Sequence, residues 1–245
     1  MKALEVKGLC KQYGDFALDN VNFSLEQGTI TGLVGRNGAG KTTILRSILG
    51  AAHIDAGEIS FLGRPIDAQT KQDIGVVYDA CCFSEMLKIR QIDSVLGDIY
   101  HNWSQDVFLG LCEHYELPEH KTIKTFSRGM KQKLSIAAAM AHSPKLLLLD
   151  EPFSSLDYQT RLSVSNDIYH IIKQEKKTAV MVTHDISEAI CVSDRIVVLS
   201  HRPAQIKAIH TIDFDMQKNS PMARREHPLF RTYFNQIWRE LDVNG

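Results

Sequence analysis

The sequence contains few cysteines and no long hydrophobic run. Its 245 residues include five cysteines, an odd number without C-x-x-C spacing, and a disulfide between the neighbours Cys81 and Cys82 would be strained. We therefore expect free thiols, as in the cytosol. No apolar run approaches the ~18 residues of a membrane-spanning helix, and the start Met1–Val6 lacks the apolar core of a signal peptide. The chain is not expected to cross a membrane by itself.

The sequence also carries almost no net charge. The formal net charge of −1 gives no indication of binding to nucleic acid or to an anionic membrane. Hydrophobic residues make up 44% and charged residues 23%, a mixture that can bury a core. The length suits one large α/β domain or a domain with an inserted subdomain.

Apolar runs of strand length divide the sequence into two β-rich parts. The early runs are Ala3–Leu9, Ala17–Leu25 and Glu58–Leu62. Turn-forming Asp, Asn and Gly residues separate them, which favours antiparallel pairing. The later runs are Ile74–Tyr78, Leu146–Leu149, Thr178–Thr183 and Arg195–Ser200. They alternate with helical stretches, which favours a parallel sheet covered on both faces. Between about Ser84 and Ser143 the pattern is helical, so we expect a helical insertion between two core strands.

A glycine-rich loop lies between a strand-like run and a helix-like run. Residues 35–42 match G-x-x-x-x-G-K-[ST] at every fixed position. In this context successive backbone N–H groups can point at one anion, and the following helix adds its positive end. Lys41 would reach the β- and γ-phosphates, and the Thr42 hydroxyl would ligate Mg²⁺. The sequence therefore predicts a nucleoside triphosphate site formed by Gly35, Arg36, Asn37, Gly38, Ala39, Gly40, Lys41, Thr42 and Thr43.

Two later strands end in residues that suit the same site. The run Leu146–Leu149 is followed by Asp150 and Glu151, and ligands bind at the carboxyl ends of parallel strands. Asp150 would hold Mg²⁺ through its water shell, and Glu151 would accept a proton from the attacking water. His184 follows the run Thr178–Thr183, where it would contact the γ-phosphate and orient the water.

Together these motifs resemble the ATP-binding-cassette (ABC) ATPase family along nearly the whole chain. Residues 35–42 match the family's Walker A motif, and residues 146–151 match Walker B with its catalytic glutamate. Phe126–Met130 stands in the place of the signature motif, which is the most discriminating of the set. Ser155–Asp157 matches the D-loop, and His184 matches the switch histidine.

The resemblance implies further nucleotide-binding residues and a site shared between two subunits. Tyr13 lies where the family stacks an aromatic ring on adenine. Ser127 and Gly129 of one subunit would cap the γ-phosphate held by the P-loop of the other, and Asp157 would complete the binding set. The two subunits would face each other head to tail, so that ATP closes the dimer and hydrolysis lets it open.

The resemblance also implies a fold, partners and a location. The fold would be α/β, a P-loop NTPase of ABC type with a mostly parallel core sheet, an antiparallel β subdomain and a helical insertion. Residues 1–245 would form one ABC ATPase domain, with a helical subdomain over about 84–143 and a helical tail over about 214–245. ATP and Mg²⁺ would be bound. Separate transmembrane permease subunits would hold this cytoplasmic chain on the inner face of the membrane. The alternative is a soluble ABC ATPase that remodels or assembles a protein complex without a permease.

Two motifs depart from the family pattern. The signature is usually Leu-Ser-Gly-Gly-Gln, and here Arg128 and Met130 replace a glycine and the glutamine. Ser127 and Gly129 remain, so the atoms that contact phosphate are kept. At the Q-loop, Asp79 replaces glutamine. This aspartate either reaches Mg²⁺ or its water, or marks a changed position with weaker coupling to the permease.

Two apolar segments allow two interpretations each. Phe83, Met86 and Leu87 follow the Q-loop, where the family docks a transmembrane coupling helix, and they would form that socket or belong to the helical core. The tail Phe230–Leu241 is amphipathic, so it would lie on a membrane surface or pack against its own domain. Its few basic residues favour packing.

The two parts of the chain resemble different branches of the family. Through about Pro152 the motifs are similar to cassettes of polypeptide and antibiotic exporters. From Phe153 onward they are similar to cassettes of nitrate, sulfonate and taurine importers. A natural mosaic and an engineered fusion would both explain this, and the substrate and the direction of transport stay open.

Overall fold

The computed structural model describes residues 1–216 and 219–242. The tail expected over about 214–245 therefore includes residues 217–218 and 243–245, which lie outside the described part. The strands are β1 (Lys2–Tyr13), β2 (Phe16–Glu26), β3 (Ile30–Val34), β4 (Ala56–Phe61), β5 (Arg64–Pro65), β6 (Ile74–Val77), β7 (Leu146–Asp150), β8 (Thr178–Thr183), β9 (Arg195–Leu199) and β10 (Ile206–Thr211). The helices are α1 (Lys41–Ile48), α2 (Ala68–Lys71), α3 (Ile89–Ile99), α4 (Gln105–His114), α5 (Arg128–Ala141), α6 (Tyr158–Gln174), α7 (Ile186–Val192), α8 (Pro221–Glu226) and α9 (Leu229–Asp242), with a 3₁₀ turn at Ile123–Thr125.

Within the described residues, the strands form two sheets. The core sheet has the order β10-β9-β3-β8-β7-β6, in which β10 alone is antiparallel to its neighbour. The second sheet, β2-β1-β4-β5, is antiparallel throughout. The mostly parallel core sheet and the antiparallel subdomain expected from the sequence are thus confirmed. Strand β10 was not predicted from the sequence, because it is a half-exposed edge strand with a weak apolar pattern.

The central strands of the core sheet are buried on both faces. In β7 every residue is buried. Leu146 and Leu148 pack with α1 and the antiparallel sheet, whereas Leu147 and Leu149 pack with the helical block α3–α5 and with α6. A strand enclosed in this way has a continuous apolar sequence, because neither of its faces meets water.

The expected helical insertion between core strands β6 and β7 is present. Its helix α5 begins at Arg128, where the Ser127 side chain caps it by accepting a hydrogen bond from Met130 N at 3.2 Å. The alanines of α5 are buried against the sheet. The block thus rests directly on the strand that ends in Asp150.

The C-terminal helices pack against the core sheet. Ile237 of α9 is fully buried in a cluster with Val34 and Ile190, while Trp238 remains 52% exposed. This contact agrees with packing of the tail against its own domain. Across residues 1–216 and 219–242, no helix is both long and apolar enough to cross a membrane.

Candidate functional site

The loop between β3 and α1 requires glycine at its end. Gly40 has φ +86°, in the left-handed region, and caps α1. A Cβ on Gly40 would lie 2.6 Å from side-chain atoms of both Phe16 and Leu18. The loop therefore packs so closely against the antiparallel sheet that a residue larger than glycine would clash at this position. The backbone of the loop also lies at the start of α1, and the N-terminus of a helix favours an anion.

Lys41 is folded back onto the loop that precedes it. Its Nζ donates to the carbonyl oxygens of Gly35 at 2.7 Å and Arg36 at 3.2 Å. Burial lowers the pKa of Lys41, and the nearby carboxylates of Glu151 and Asp150 oppose this effect. Among the residues that the structure describes, no carboxylate forms an ion pair with this ammonium, which is held at the loop by the two carbonyl oxygens.

The side chains of Thr42 and Asp150 meet close to those of Glu151 and Asp79. Thr42 Oγ1 donates to Asp150 Oδ1 at 3.4 Å. Burial raises the pKa of Asp150, the Thr42 contact opposes this, and the charges of Asp79 and Glu151 raise it further. Clustered carboxylates that disfavour each other's charge are stabilised by a bound cation. The hydroxyl and carboxylate oxygens also match the ligand preference of Mg²⁺.

Glu151 and His184 meet although 33 positions separate them in the sequence. His184 Nδ1 lies 2.7 Å from Glu151 Oε2. Glu151 has φ +50°, and its N–H donates to Val182 O on the neighbouring strand at 2.9 Å. Non-glycine residues rarely adopt this conformation, and it concentrates at functional sites. Here it turns the carboxylate toward the segment after β8.

These groups share a cavity of about 590 Å³. Its lining contains nine of the residues predicted from the sequence, namely Asn37, Gly38, Gly40, Lys41, Thr42, Thr43, Asp79, Glu151 and His184. Of the remaining P-loop positions, Ala39 is buried, and Gly35 and Arg36 line a neighbouring cavity of about 580 Å³ together with Trp238. The predicted loop, the Walker B glutamate and the switch histidine therefore face one space.

The structure places Phe16, and not Tyr13, in the wall of this cavity. Tyr13 is 50% exposed, and the Lys11 ammonium lies 4.8 Å from its ring centroid. The two aromatic residues are paired across the β1–β2 hairpin. Phe16 was not predicted from the sequence, although it lies only three positions after Tyr13.

Arg202 and Ser154 also line the cavity and were not predicted. The Arg202 guanidinium carbon lies 5.8 Å from the Phe16 ring centroid, and a Cβ on Gly38 would lie 3.1 Å from an Arg202 nitrogen. The sequence signal for Arg202 was its place in the segment Val197–Pro203, which resembles importer cassettes. A cation at this position suits a polyanionic ligand.

The signature and D-loop residues lie elsewhere. Ser127, Gly129 and Asp157 are not part of the lining of the P-loop cavity of their own chain. Asp157 instead caps α6 by accepting a hydrogen bond from Thr160 N at 3.0 Å, and its contacts with Thr160 lower the pKa of Asp157. Their use for nucleotide would thus need a second chain, as the family resemblance implies.

A further cavity of about 530 Å³ joins the Q-loop to the signature helix and the D-loop. Asp79 and Ser154 line both this cavity and the P-loop cavity. Phe83 lines it as well and packs, like Leu87, against the helical core, whereas Met86 is 74% exposed. Phe83 and Leu87 thus pack against the helical core, whereas a socket for a coupling helix stays a prediction.

Comparisons with known proteins identify the family of this chain. The family model for "ABC transporter" matches residues 18–154. The Bacillus subtilis protein called uncharacterized ABC transporter ATP-binding protein YtlC is 36% identical over 231 residues, which cover 92% of this chain and 88% of that protein. The aliphatic sulfonates import ATP-binding protein SsuB of Bacillus cereus is 34% identical, with 87% of each chain covered. A solved structure of an ATP-binding subunit of an ABC transporter superposes with a TM-score of 0.76 at 25% identity, covering 96% of this chain and 99% of that chain.

The fold and the P-loop site define an ABC-type ATPase. The chain belongs to the ABC transporter family and is an ATP-binding, ATP-hydrolysing cassette. The similarity to a sulfonate import protein extends over 87% of this chain, so the likeness to importers is not confined to the part after Pro152.

Proposed function

We propose that this cassette drives an ABC importer by binding ATP and Mg²⁺ between two copies of itself and hydrolysing ATP through Glu151. The observation that carries the proposal is the 2.7 Å contact between Glu151 and His184 in the cavity that the P-loop lines. This contact supports the proposal because it would put a base, and a polar partner that can orient water, beside the loop that would hold phosphate.

The residues of one chain supply most of the site. The backbone of residues 35–40 and the Lys41 ammonium would bind the phosphates. Thr42 and Asp150, with Asp79 beside them, would hold Mg²⁺, which supplies charge neutralisation at the phosphates. Glu151 takes the proton of the attacking water, and His184 holds that carboxylate and the water in place. This division of roles explains why two acidic residues stand side by side at the end of β7.

The second chain would supply the signature. Ser127 is exposed at the beginning of the 14-residue helix α5, whose N-terminal end favours an anion. Gly129 lies in the first turn of the same helix. In a head-to-tail pair, Ser127, Gly129 and Asp157 would approach the nucleotide held by the other P-loop. ATP then bridges two surfaces that separate again after hydrolysis.

The partner that receives this motion would be a membrane permease, which would place the cassette on the inner face of the membrane. Support comes from the import function in the name of the relative from Bacillus cereus. The cavity that joins Asp79, Phe83 and the signature helix is the surface where a permease helix would sense the nucleotide. The substrate would be selected by that permease.

The test uses the Glu151→Gln variant. Glutamine keeps the shape of glutamate but cannot accept the proton, so hydrolysis should fall by ~10²- to 10⁴-fold while ATP still binds. Light scattering should show a dimer with ATP and Mg²⁺ and a monomer with ATP and EDTA. When the tagged variant is purified from detergent extracts of native membranes, an integral membrane subunit should purify with it.

The matched control is Lys41→Ala, which should bind little ATP and stay monomeric. Wild-type hydrolysis by Glu151→Gln would remove Glu151 from its role. Recovery of water-soluble partners alone would favour the complex-remodelling alternative over the importer.

A further inference from the structure

Arg161 lies between the D-loop and the segment that carries His184. It stands in the first turn of α6, and its Nη2 donates to the carbonyl oxygen of Leu156 at 3.3 Å. Its Nη1 lies 3.2 Å from Glu188 Oε1 and 3.7 Å from Asp185 Oδ2. One guanidinium therefore joins two functional loops that belong to different parts of the sequence.

The two carboxylates that Arg161 contacts are built into the backbone around His184. Thr183 Oγ1 donates a hydrogen bond to Glu188 Oε2 at 2.9 Å, and Thr183 Oγ1 also accepts a hydrogen bond from Asp185 N at 3.0 Å. The Asp185 carboxylate in turn caps α7. Thr183 and Asp185 are the residues on either side of His184, so the position of Arg161 is transmitted to the backbone on both sides of the histidine.

The other end of this connection contacts the signature helix. Leu156 is 5% exposed, and its Cδ2 lies 3.4 Å from the place a Cβ would take on Gly129. Its carbonyl oxygen is the atom that accepts from Arg161. A continuous set of contacts thus runs from the signature through the D-loop and Arg161 to His184.

We propose that Arg161 is a positioning residue for ATP hydrolysis, which holds the D-loop and the His184 segment in one fixed arrangement. The inference rests on the proposed roles of Glu151 and His184. When a second copy docks on the D-loop and signature, Arg161 keeps His184 seated against Glu151. The planar fork of arginine is suited to this, because it binds a carbonyl and a carboxylate at the same time.

The burial of Glu188 next to Arg161 supports this role. Burial raises the pKa of Glu188, and the contacts with Thr183 and Arg161 oppose that effect. A mostly buried carboxylate without its cation would reorganise or bind a proton. Displacement of a catalytic group by ~1 Å can lower a rate by ~10²-fold, so a small change in this loop would be visible in turnover.

The experiment compares Arg161→Met, Arg161→Lys and Glu188→Gln. Methionine keeps an aliphatic stem and removes the fork, so we expect kcat to fall ~10-fold while KM for ATP changes less than ~2-fold. Lysine keeps one cation and should recover part of the rate. Because Arg161 and Glu188 act as a unit, the double variant Arg161→Met/Glu188→Gln should lose no more activity than the worse single variant.

Arg90→Met is the matched control, since Arg90 forms an exposed ion pair with Glu119 on the helical block. It should keep the wild-type kcat and melting temperature. ATP binding and the melting temperature show whether each variant is folded, and Glu188→Gln tests the same contact if Arg161→Met does not fold.

Glu151→Gln is measured in parallel. If it is inactive and Arg161→Met keeps the wild-type kcat, the positioning role is wrong and the proposed function stands. Additive losses in the double variant would also overturn the role. If Glu151→Gln keeps the wild-type rate, the proposed function fails and the role of Arg161 fails with it.

Discussion

Glu151 combines backbone strain with a short contact to His184. Its φ of +50° lies in the left-handed region, which costs about 1–3 kcal/mol for a non-glycine residue. The hydrogen bond from its N–H to Val182 O helps to hold this conformation. This strained conformation directs the Glu151 carboxylate across the sheet edge toward His184.

At the same scale, the aromatic wall of the cavity yields a prediction. Phe16 lines the cavity and Tyr13 does not, so Phe16→Ala should weaken ATP binding more than Tyr13→Ala does. A lost ring contact of about 0.5–1.5 kcal/mol corresponds to a roughly 2- to 12-fold higher Kd. Isothermal titration of ATP into both variants measures the difference.

Each of the two aromatic variants is the control for the other, since both residues lie on one hairpin. A larger loss with Tyr13→Ala would show that ATP draws the Tyr13 ring over the adenine, as the family resemblance implies.

At the scale of elements, adjacent parallel strands assemble the site. Val34 of β3 pairs with Thr183 of β8, and Asp150 of β7 pairs with Val182 of β8. The residues that follow these strands therefore emerge side by side at one edge of the sheet. This is why the P-loop, Glu151 and His184 meet, although the helical block and α6 separate them along the chain.

A buried arginine ties the C-terminal helices to that sheet. Arg224 of α8 is 1% exposed; it donates to Ser193 O at 2.6 Å and lies 3.6 Å from Asp194 Oδ1. Arg224→Met should lower the free energy of unfolding by about 3 kcal/mol, because one partner of a buried charge pair is removed. Breaking a buried ion pair costs about 3–5 kcal/mol. We expect a loss at the lower end of these values, because Asp194 keeps its ion pair with Lys173 at 2.5 Å. Urea denaturation followed by circular dichroism measures this change.

The neighbouring Arg225 gives the matched control. It is exposed, with its guanidinium 5.6 Å from the Tyr158 ring, so Arg225→Met should change stability by less than about 0.5 kcal/mol. Equal losses in the two variants would contradict the role assigned to Arg224.

At the scale of the whole molecule, the proposed pairing would make each copy supply parts of two different sites. The P-loop cavity contains Lys41, whereas Ser127 lies outside its lining. Ser127→Arg should therefore leave ATP binding to the isolated chain nearly unchanged but block ATP-driven pairing and turnover. Mixed with Lys41→Ala, it should restore activity that neither variant has alone, because one intact P-loop then faces one intact signature.

The mixture is measured by ATPase rate and by light scattering together. The control carries both substitutions on one chain and should be inactive alone. Full activity of Ser127→Arg by itself would contradict a site shared between two copies.

The sequence by itself determined the features that depend on contiguous residues. The P-loop is encoded in residues 35–42, and the fully apolar run before Asp150 indicates a strand buried on both faces. Such features follow from local backbone chemistry and hydrophobic pattern. The core sheet, the antiparallel subdomain and the helical insertion could be predicted for that reason, although the limits of the subdomains stay a prediction.

The tertiary structure alone decided what depends on packing between distant segments. Phe16 and Arg202 come together only because the β1–β2 hairpin and the segment after β9 close over the same loop. Arg161 and Glu188 are 27 positions apart in the sequence, and no local pattern predicts their contact. Strand β10 could not be predicted from its sequence either, because an edge strand with one face in water has only a weak apolar pattern. Contacts of this kind depend on how buried faces fit together, which no short stretch of sequence specifies.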